Sequence, residues 1–166
     1  MTSIENIIGS FGNDILSGDG GGNVINGDYG DDIINGRGGN DTIHSGYGAD
    51  ILDGGAGADV FQYNDSRDSG AGYRASYRGG IYRVEYGNDT ILNFETGIDK
   101  IDLRQCDAIS GNTTSDHFVF ADALTGVAGQ LVLIGGQLLG DITGDGIADL
   151  VINVAGAQRT DILGVV

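Results

Sequence analysis

The sequence predicts an all-β fold, a solenoid of short stacked strands closed by a β-rich cap, and three observations lead there. Six nine-residue units follow one another without a gap from residue 9 to residue 62: GSFGNDILS, GDGGGNVIN, GDYGDDIIN, GRGGNDTIH, SGYGADILD and GGAGADVFQ. Repetition at one short fixed period is the mark of a solenoid. Each unit joins a glycine-rich half, able to turn sharply, to three β-forming residues. After Gly87 the repeat gives way to apolar stretches that also read as strands, GNDTILNFETGIDKIDL, FADALTGVAGQLVLI and GDITGDGIADLVINV.

Residues 2–8 are a degenerate preceding unit, with Glu5 in phase with Asp14 and Ile7 with Leu16, and residues 1–8 are expected to cap the open end of the solenoid. In the units proper the fourth position is always glycine (Gly12, Gly21, Gly30, Gly39, Gly48, Gly57). The sixth is Asp14, Asn23, Asp32, Asp41, Asp50 and Asp59, and the eighth is Leu16, Ile25, Ile34, Ile43, Leu52 and Phe61. Side chains alternate along a strand, so the eighth residues form the core row and the seventh residues face outward. That outward row, Ile15, Val24, Ile33, Thr42, Ile51 and Val60, is apolar enough to expect cover from the later chain. His44, at a ninth position, is expected on the surface.

Two turns and two strands close a coil of 18 residues, so alternate units lie above one another at a strand spacing of ~4.8 Å. Their sixth-position carboxylates then crowd together and repel unless a cation lies between them. Carboxylate and carbonyl oxygens are hard ligands that suit calcium, which takes about 6–8 of them.

The units resemble GGxGxDxUx, the calcium-binding repeat of RTX (repeats-in-toxin) proteins. That resemblance implies a parallel β-roll with several calcium ions, about four or more, held between turns two units apart. In the family the earlier turn offers its second and fourth carbonyls and its Asp, and the later turn its first and third carbonyls and its Asp. Carried onto this chain, one site takes Ser10, Gly12, Asp14, Gly27, Tyr29 and Asp32, and the next Asp19, Gly21, Asn23, Gly36, Gly38 and Asp41. A third takes Asp28, Gly30, Asp32, Ser45, Tyr47 and Asp50, and a fourth Arg37, Gly39, Asp41, Gly54, Ala56 and Asp59. Asn23 departs from the pattern and removes a charge, so the second site is expected to be the weakest or to need Asp19. Without metal the roll is expected to be disordered and to fold as the ions bind.

Composition agrees with a cation as the counter-charge. Acids outnumber bases 24 to 8, net −16, and 21 of the acids are aspartate, whose short side chain fits turn-bound ions. This balance argues against nucleic acid as a partner. No apolar stretch is long enough to span a membrane, and the N-terminus lacks the basic and apolar regions of a Sec signal. Cys106 is the single cysteine, which excludes an internal disulfide and is expected to be an inert side chain.

Residues 63–86 differ from the rest, with four of the eight basic residues (Arg67, Arg74, Arg78, Arg83) and five of the seven tyrosines, among them Tyr63, Tyr73 and Tyr77. Two readings stay open for this insert. Arg67, Arg74, Arg78, Arg83, Tyr73 and Tyr77 form an exposed patch for an anionic ligand, or the arginines cancel nearby aspartates.

Residues 87–166 resemble the cap of serralysin-type secreted proteases, and with it the resemblance covers nearly the whole chain. It implies that Asp89 or its neighbours close the last calcium positions above Asp50 and Asp59. It also implies that the tail, Asp161-Ile-Leu-Gly-Val-Val166, is an uncleaved signal for type I secretion. Asp141-x-Thr143-x-Asp145-Gly146-x-x-Asp149 has some of the spacing of a calcium loop but lacks the glutamate at its twelfth position, and a tight β-turn is expected there. The roll and the SRDS segment also resemble the R-modules of alginate (mannuronan) C5-epimerases, which implies anionic polysaccharide as a second candidate partner.

Catalytic motifs are absent. There is no HExxH, no GxSxG and no phosphate loop, and the two histidines, His44 and His117, are far apart in sequence. The expectation is a single β-rich module, sandwich-like in its cap, monomeric and non-catalytic. It is expected to be secreted, to work beside the catalytic domain of a larger extracellular protein and to fold in external calcium.

Overall fold

The computed structural model describes residues 6–69, 76–78, 81–83, 87–109 and 116–166. Seven three-residue strands open the chain: β1 (Asn6–Ile8), β2 (Ile15–Ser17), β3 (Val24–Asn26), β4 (Ile33–Asn35), β5 (Thr42–His44), β6 (Ile51–Asp53) and β7 (Val60–Gln62). β2 to β7 are the last three residues of the six units, as the repeat predicts. Strands two apart pair in parallel, β1, β3, β5 and β7 in one sheet and β2, β4 and β6 in the other.

The register follows the 18-residue coil, with Ile15 opposite Ile33 and Ile33 opposite Ile51. Only this register stacks the eighth positions, and Ile25, Ile34, Ile43, Leu52 and Phe61 are all 0–1% exposed between the sheets. Each buried side chain of this size contributes about 1.5–3 kcal/mol. A second ladder holds the turns. Asn13 Oδ1 accepts the Asp31 N–H at 3.0 Å, Asp31 Oδ1 that of Ala49 at 3.0 Å, and Asn40 Oδ1 that of Ala58 at 3.0 Å.

Beyond β7 lie a 3₁₀ turn, Ser66–Ser69, and an antiparallel hairpin of β8 (Ser76–Arg78) and β9 (Ile81–Arg83). The cap follows: β10 (Asp89–Leu92), β11 (Lys100–Asp102), β12 (Val119–Phe120), β13 (Gln130–Ile134), β14 (Gln137–Asp141), β15 (Leu150–Val154) and β16 (Ile162–Leu163). Its strands join the two sheets of the roll. β10 pairs with β6 and β11 with β7, both parallel, β15 and β16 add to these, and β13 to β15 form an antiparallel meander. The cap strands thus extend the same two sheets that enclose the repeat core, where the sequence led to expecting a sandwich-like cap.

Several expectations are corrected. The outward row is not covered by the described later chain: Ile15, Val24, Ile33 and Ile51 stay exposed, and Thr42 and Val60 are half-buried. Added strands extend the sheets edgewise and leave their outer faces bare. His44 is half-buried, with its Nε2 3.3 Å from Asp68 Oδ2 and 2.9 Å from Asn64 Nδ2. Tyr63 is no surface tyrosine; it is 1% exposed in the core.

The segment from Asp141 to Asp149 is a longer connection from β14 to β15, stabilised by its own carboxylates. Asp141 accepts the Gly144 and Gly146 N–H groups at 2.6 and 2.9 Å, and Asp149 those of Ile142 and Thr143 at 2.8 and 2.9 Å. In the tail, Asp161 is buried and accepts a hydrogen bond from Lys100 Nζ at 3.0 Å. Val165 bridges to Phe118.

Candidate metal centre

The sixth position of each unit is the last residue before a strand, and the stack turns these residues into a ladder. The backbone N–H of each donates to Oδ1 of the acid one coil later: Asp14 to Asp32 at 2.8 Å, Asn23 to Asp41 at 2.7 Å, Asp32 to Asp50 at 2.8 Å and Asp41 to Asp59 at 2.9 Å. The ladder continues into the cap. Asp50 donates to Asp89 Oδ1 and Asp59 to Asp99 Oδ1, both at 3.0 Å.

Asp89 therefore stands above Asp50 as expected, but the acid above Asp59 is Asp99, which the sequence reading left out. Its signal was present. Gly97-Ile98-Asp99-Lys100-Ile101 repeats the glycine, acid and apolar spacing of Gly12-Asn13-Asp14-Ile15-Leu16.

The second oxygens separate the rungs into two kinds. At the ends they have donors: Asp14 Oδ2 takes the Ser10 N–H at 2.7 Å, Asp89 Oδ2 the Ser45 hydroxyl at 2.8 Å and Asp99 Oδ2 the Glu95 N–H at 2.8 Å. In the middle they have none. Oδ2 of Asp32, Asp41, Asp50 and Asp59 is buried without a hydrogen-bond partner. A buried charged oxygen without a partner is among the costliest features a fold can carry.

The titration of these groups reports that cost. Burial pushes Asp32 and Asp59 up to about 6 from an ordinary 3.8, and Asp50 up to about 7. Burial also raises Asp41, and burial with the neighbouring Asp50 charge raises Asp89 well above the usual range.

Among the described residues no three or more acidic, histidine or cysteine side chains converge. A cation here would meet two carboxylates at a time, with backbone oxygens to complete its ligands. The carbonyls of Ser10, Asp28 and Arg37 accept hydrogen bonds from the next turn, at 3.1, 2.8 and 2.9 Å, and those of Tyr47 and Ala56 from the earlier turn, at 2.9 Å each. Each carbonyl has a second lone pair left. Asp28 and Arg37 take φ of +75° and +74°, the left-handed turn conformation that the family pattern assigns to glycine. In the second site Asn23 Oδ1 accepts the Asp19 N–H at 2.9 Å, so Asp19 lies beside the uncharged rung. The donor set, oxygens alone with orphaned carboxylates between stacked turns, fits a hard divalent cation.

A prediction follows for the metal-free chain. Carboxyls that ionise higher in the fold than in the unfolded chain bind extra protons on folding, so stability falls as pH rises. The penalty is fully present above pH 7 and gone below 3.8. In chelator, strand signal in far-ultraviolet circular dichroism is expected to grow as pH is lowered from 7.5 towards 5. A signal that weakens over that interval contradicts the ladder.

Part of the insert lies within the described residues. Arg67 forms an ion pair with Asp65, and its guanidinium lies 5.5 Å from the Tyr47 ring centre, so at this residue charge cancellation holds. Tyr73 and Arg74 lie outside the described residues. Of Tyr77, Arg78 and Arg83 the backbone is described, with Tyr77 opposite Tyr82 and Arg78 opposite Ile81 in the hairpin. Cys106 is 1% exposed, and burial pushes its thiol up to about 12.

Comparison with known proteins agrees with this geometry. A solved structure of the AlgE6R3 subunit of the Azotobacter vinelandii mannuronan C5-epimerase superimposes with a TM-score of 0.60 at 25% identity, over 93% of this chain and 80% of that one. No curated protein sequence is significantly similar to the chain. The pattern of the peptidase M10 serralysin C-terminal family matches residues 1–165, and the chain belongs to that family.

Proposed function

We propose that the chain is a calcium-binding, non-catalytic module of a secreted protein, whose roll folds when calcium enters the aspartate ladder and which stabilises the catalytic domain of its parent. The observation that carries this reading is the set of four orphaned buried carboxylate oxygens, on Asp32, Asp41, Asp50 and Asp59, in the middle of the ladder. Bound calcium supplies the positive charge these oxygens lack. The chain's own part is positional: stacked turns hold successive carboxylates one strand spacing apart, and the core row keeps them in register.

The ligands are those the repeat assigns, from Ser10, Gly12 and Asp14 at one end to Gly54, Ala56 and Asp59 at the other, with Asp89 and Asp99 closing the last two rungs. Folding then belongs outside the cell, where calcium is plentiful, after export of an unfolded chain by type I secretion. Extracellular calcium modules bind at roughly 10⁻⁴–10⁻³ M, so each ion adds about 0.4–1.4 kcal/mol at ~1 mM calcium and several together act as a steep switch. Calcium titration followed by circular dichroism tests this. Strand signal is expected to rise cooperatively, and a signal indifferent to chelator refutes the proposal.

The likeness to a mannuronan C5-epimerase subunit favours a second reading, attachment of the module to an anionic polysaccharide through Arg74, Arg78, Arg83, Tyr73 and Tyr77 of the insert. Oligo-mannuronate titrated into the calcium-loaded chain is expected to release heat. The Arg74, Arg78 and Arg83 to alanine variant is expected to lose most of it; equal heats remove the insert from the interaction.

A further inference from the structure

Asn26-Gly27 and Asn35-Gly36 are the Asn-Gly pairs of the sequence, and both lie where the ninth residue of one unit meets the first residue of the next. Glycine has no side chain to hinder its own nitrogen, so an asparagine before it has the least protected side-chain amide in a polypeptide. The glycine nitrogen attacks the asparagine Cγ and a C–N bond closes a five-membered imide. The side-chain nitrogen leaves as ammonia, taking the proton of the glycine N–H. Water then opens the ring at one of its two carbonyls. Opening at the side-chain carbonyl gives aspartate. Opening at the main-chain carbonyl gives isoaspartate, in which the chain runs through Cβ and Cγ.

The fold holds both junctions against this reaction. The Gly27 N–H donates to the His44 carbonyl at 2.9 Å and the Gly36 N–H to the Asp53 carbonyl at 2.8 Å, each one coil later. Both glycines are buried, and both asparagines half-buried. The Asn26 side chain is engaged as well, its Oδ1 accepting the Asp28 N–H at 3.1 Å. A glycine nitrogen held in this way cannot turn towards Cγ until its bond to the next coil is broken. Such bonds run between coils, so they exist only while the roll is stacked.

The roll does not treat the two products alike. Aspartate already stands at a ninth position, where Asp53 precedes Gly54 and its Oδ1 accepts the Gly55 N–H at 3.1 Å, as Asn26 does with Asp28. Isoaspartate instead adds a carbon to the main chain just before the first position, and the stack has no room for the shift. A β-carbon on Gly27 would be driven into Asp32 Oδ2 and the Ser45 carbonyl, and one on Gly36 into Asp41 Oδ2 and the Gly54 carbonyl. An extra backbone atom also moves every later residue of the coil out of register with the coil beside it.

We propose that Asn26 and Asn35 are deamidation sites closed by the folded roll and open in the unfolded chain, and that isoaspartate at either one stops the coils from stacking. A chain that stays unfolded then loses the ability to fold, and the loss is one-way. That calcium closes the sites rests on the reading of the ladder above; that folding closes them does not.

Ageing the full chain in warm, mildly alkaline buffer tests this in three arms, with calcium, with chelator and with urea. Each event replaces an amide nitrogen with oxygen and is read as a gain of one mass unit, and peptide mapping with an isoaspartate-specific methyltransferase locates it. Both junctions are expected to react in urea, and about tenfold or more slowly in calcium, where reaction waits on opening of the fold. Returned to calcium, the urea-aged chain is expected to lose strand signal in circular dichroism in proportion to its isoaspartate. The double variant Asn26→Ser, Asn35→Ser takes the residue that the first unit has at its ninth position, Ser17, and is expected to recover its signal after the same ageing.

Equal rates in urea and calcium overturn the proposal, as does an aged chain that refolds fully with isoaspartate at either junction, or a double variant that loses its signal as fast as the native chain. A chelator arm as slow as the calcium arm, beside a fast urea arm, supports the proposal and refutes the calcium reading instead. If the double variant does not fold before ageing, mapping of the native chain decides, and signal lost without isoaspartate at these junctions overturns the proposal.

Discussion

Replacing Asp32 by asparagine is expected to weaken the calcium-loaded roll and to strengthen the metal-free one. Asp32 belongs to two rungs at once, as the later acid to Asp14 and the earlier acid to Asp50. Asparagine keeps an oxygen for the Asp14 N–H and the backbone N–H for Asp50, so the skeleton of the ladder survives. What goes is the charge of a buried oxygen that has no donor.

In calcium, two proposed sites lose a formal charge, and the expected loss of stability is about 1–3 kcal/mol. In chelator the sign reverses. A carboxyl that ionises near 6 in the fold and 3.8 outside it costs on the order of 3 kcal/mol to bury charged at neutral pH, and the amide escapes that cost. The gain is fully present above pH 7 and disappears below 3.8, where the native acid is neutral in both states. Urea melts with and without calcium, the latter with trimethylamine oxide to populate the folded chain, measure both arms. Equal destabilisation in both arms means the aspartate serves as a turn-capping acceptor and nothing more. Asp14→Asn, at the end of the ladder with its second oxygen already satisfied by Ser10, is expected to show the smaller effect in each arm.

The repeat made this ladder readable. A strict nine-residue period determines which residue of each unit is buried, which turns and which stacks, so β2 to β7 and the acids from Asp14 to Asp59 could be placed by counting. Counting failed where the period failed. Asp89 lies 39 residues beyond Asp50, and Asp99 lies 40 beyond Asp59, where coils inside the roll differ by 18. The insert broke the phase, and Asp99 was passed over although its neighbours obey the local pattern.

The cap was legible as strands but not as sheet positions, because β15 on β10 and β16 on β11 are pairings across some 60 residues. No periodic signal reports such contacts. The outward isoleucines illustrate a different limit: alternation gives the direction of Ile33 and Ile51, but what lies opposite them is a property of the whole fold. Tyr63 was grouped with the tyrosines of the insert by composition, whereas its place just after β7 brings it into the core beside Asp89.

Gly57→Ala is expected to cost about 3–5 kcal/mol and to lower the melting temperature of the calcium-loaded chain by roughly 10 °C, while Gly12→Ala at the same motif position costs under about 0.5 kcal/mol. Both are fourth-position glycines, and a reading by motif alone assigns them equal weight. The structure separates them. Gly57 has φ of +141°, and a β-carbon there would be driven into the carbonyl of Gly39 in the turn before it. That obstacle is backbone, so no rotamer change relieves it, and the turns must part. The Gly39 carbonyl is also a proposed ligand of the fourth site, so calcium binding is expected to weaken with the fold. At Gly12 a β-carbon meets nothing within 4 Å among the described residues. Thermal melts of the two variants in calcium and in chelator distinguish close turn packing from a need for glycine in the motif as such. If Gly12→Ala proves as damaging as Gly57→Ala, the fourth glycine is required for the shape of its own turn, and contact between coils is not what selects it.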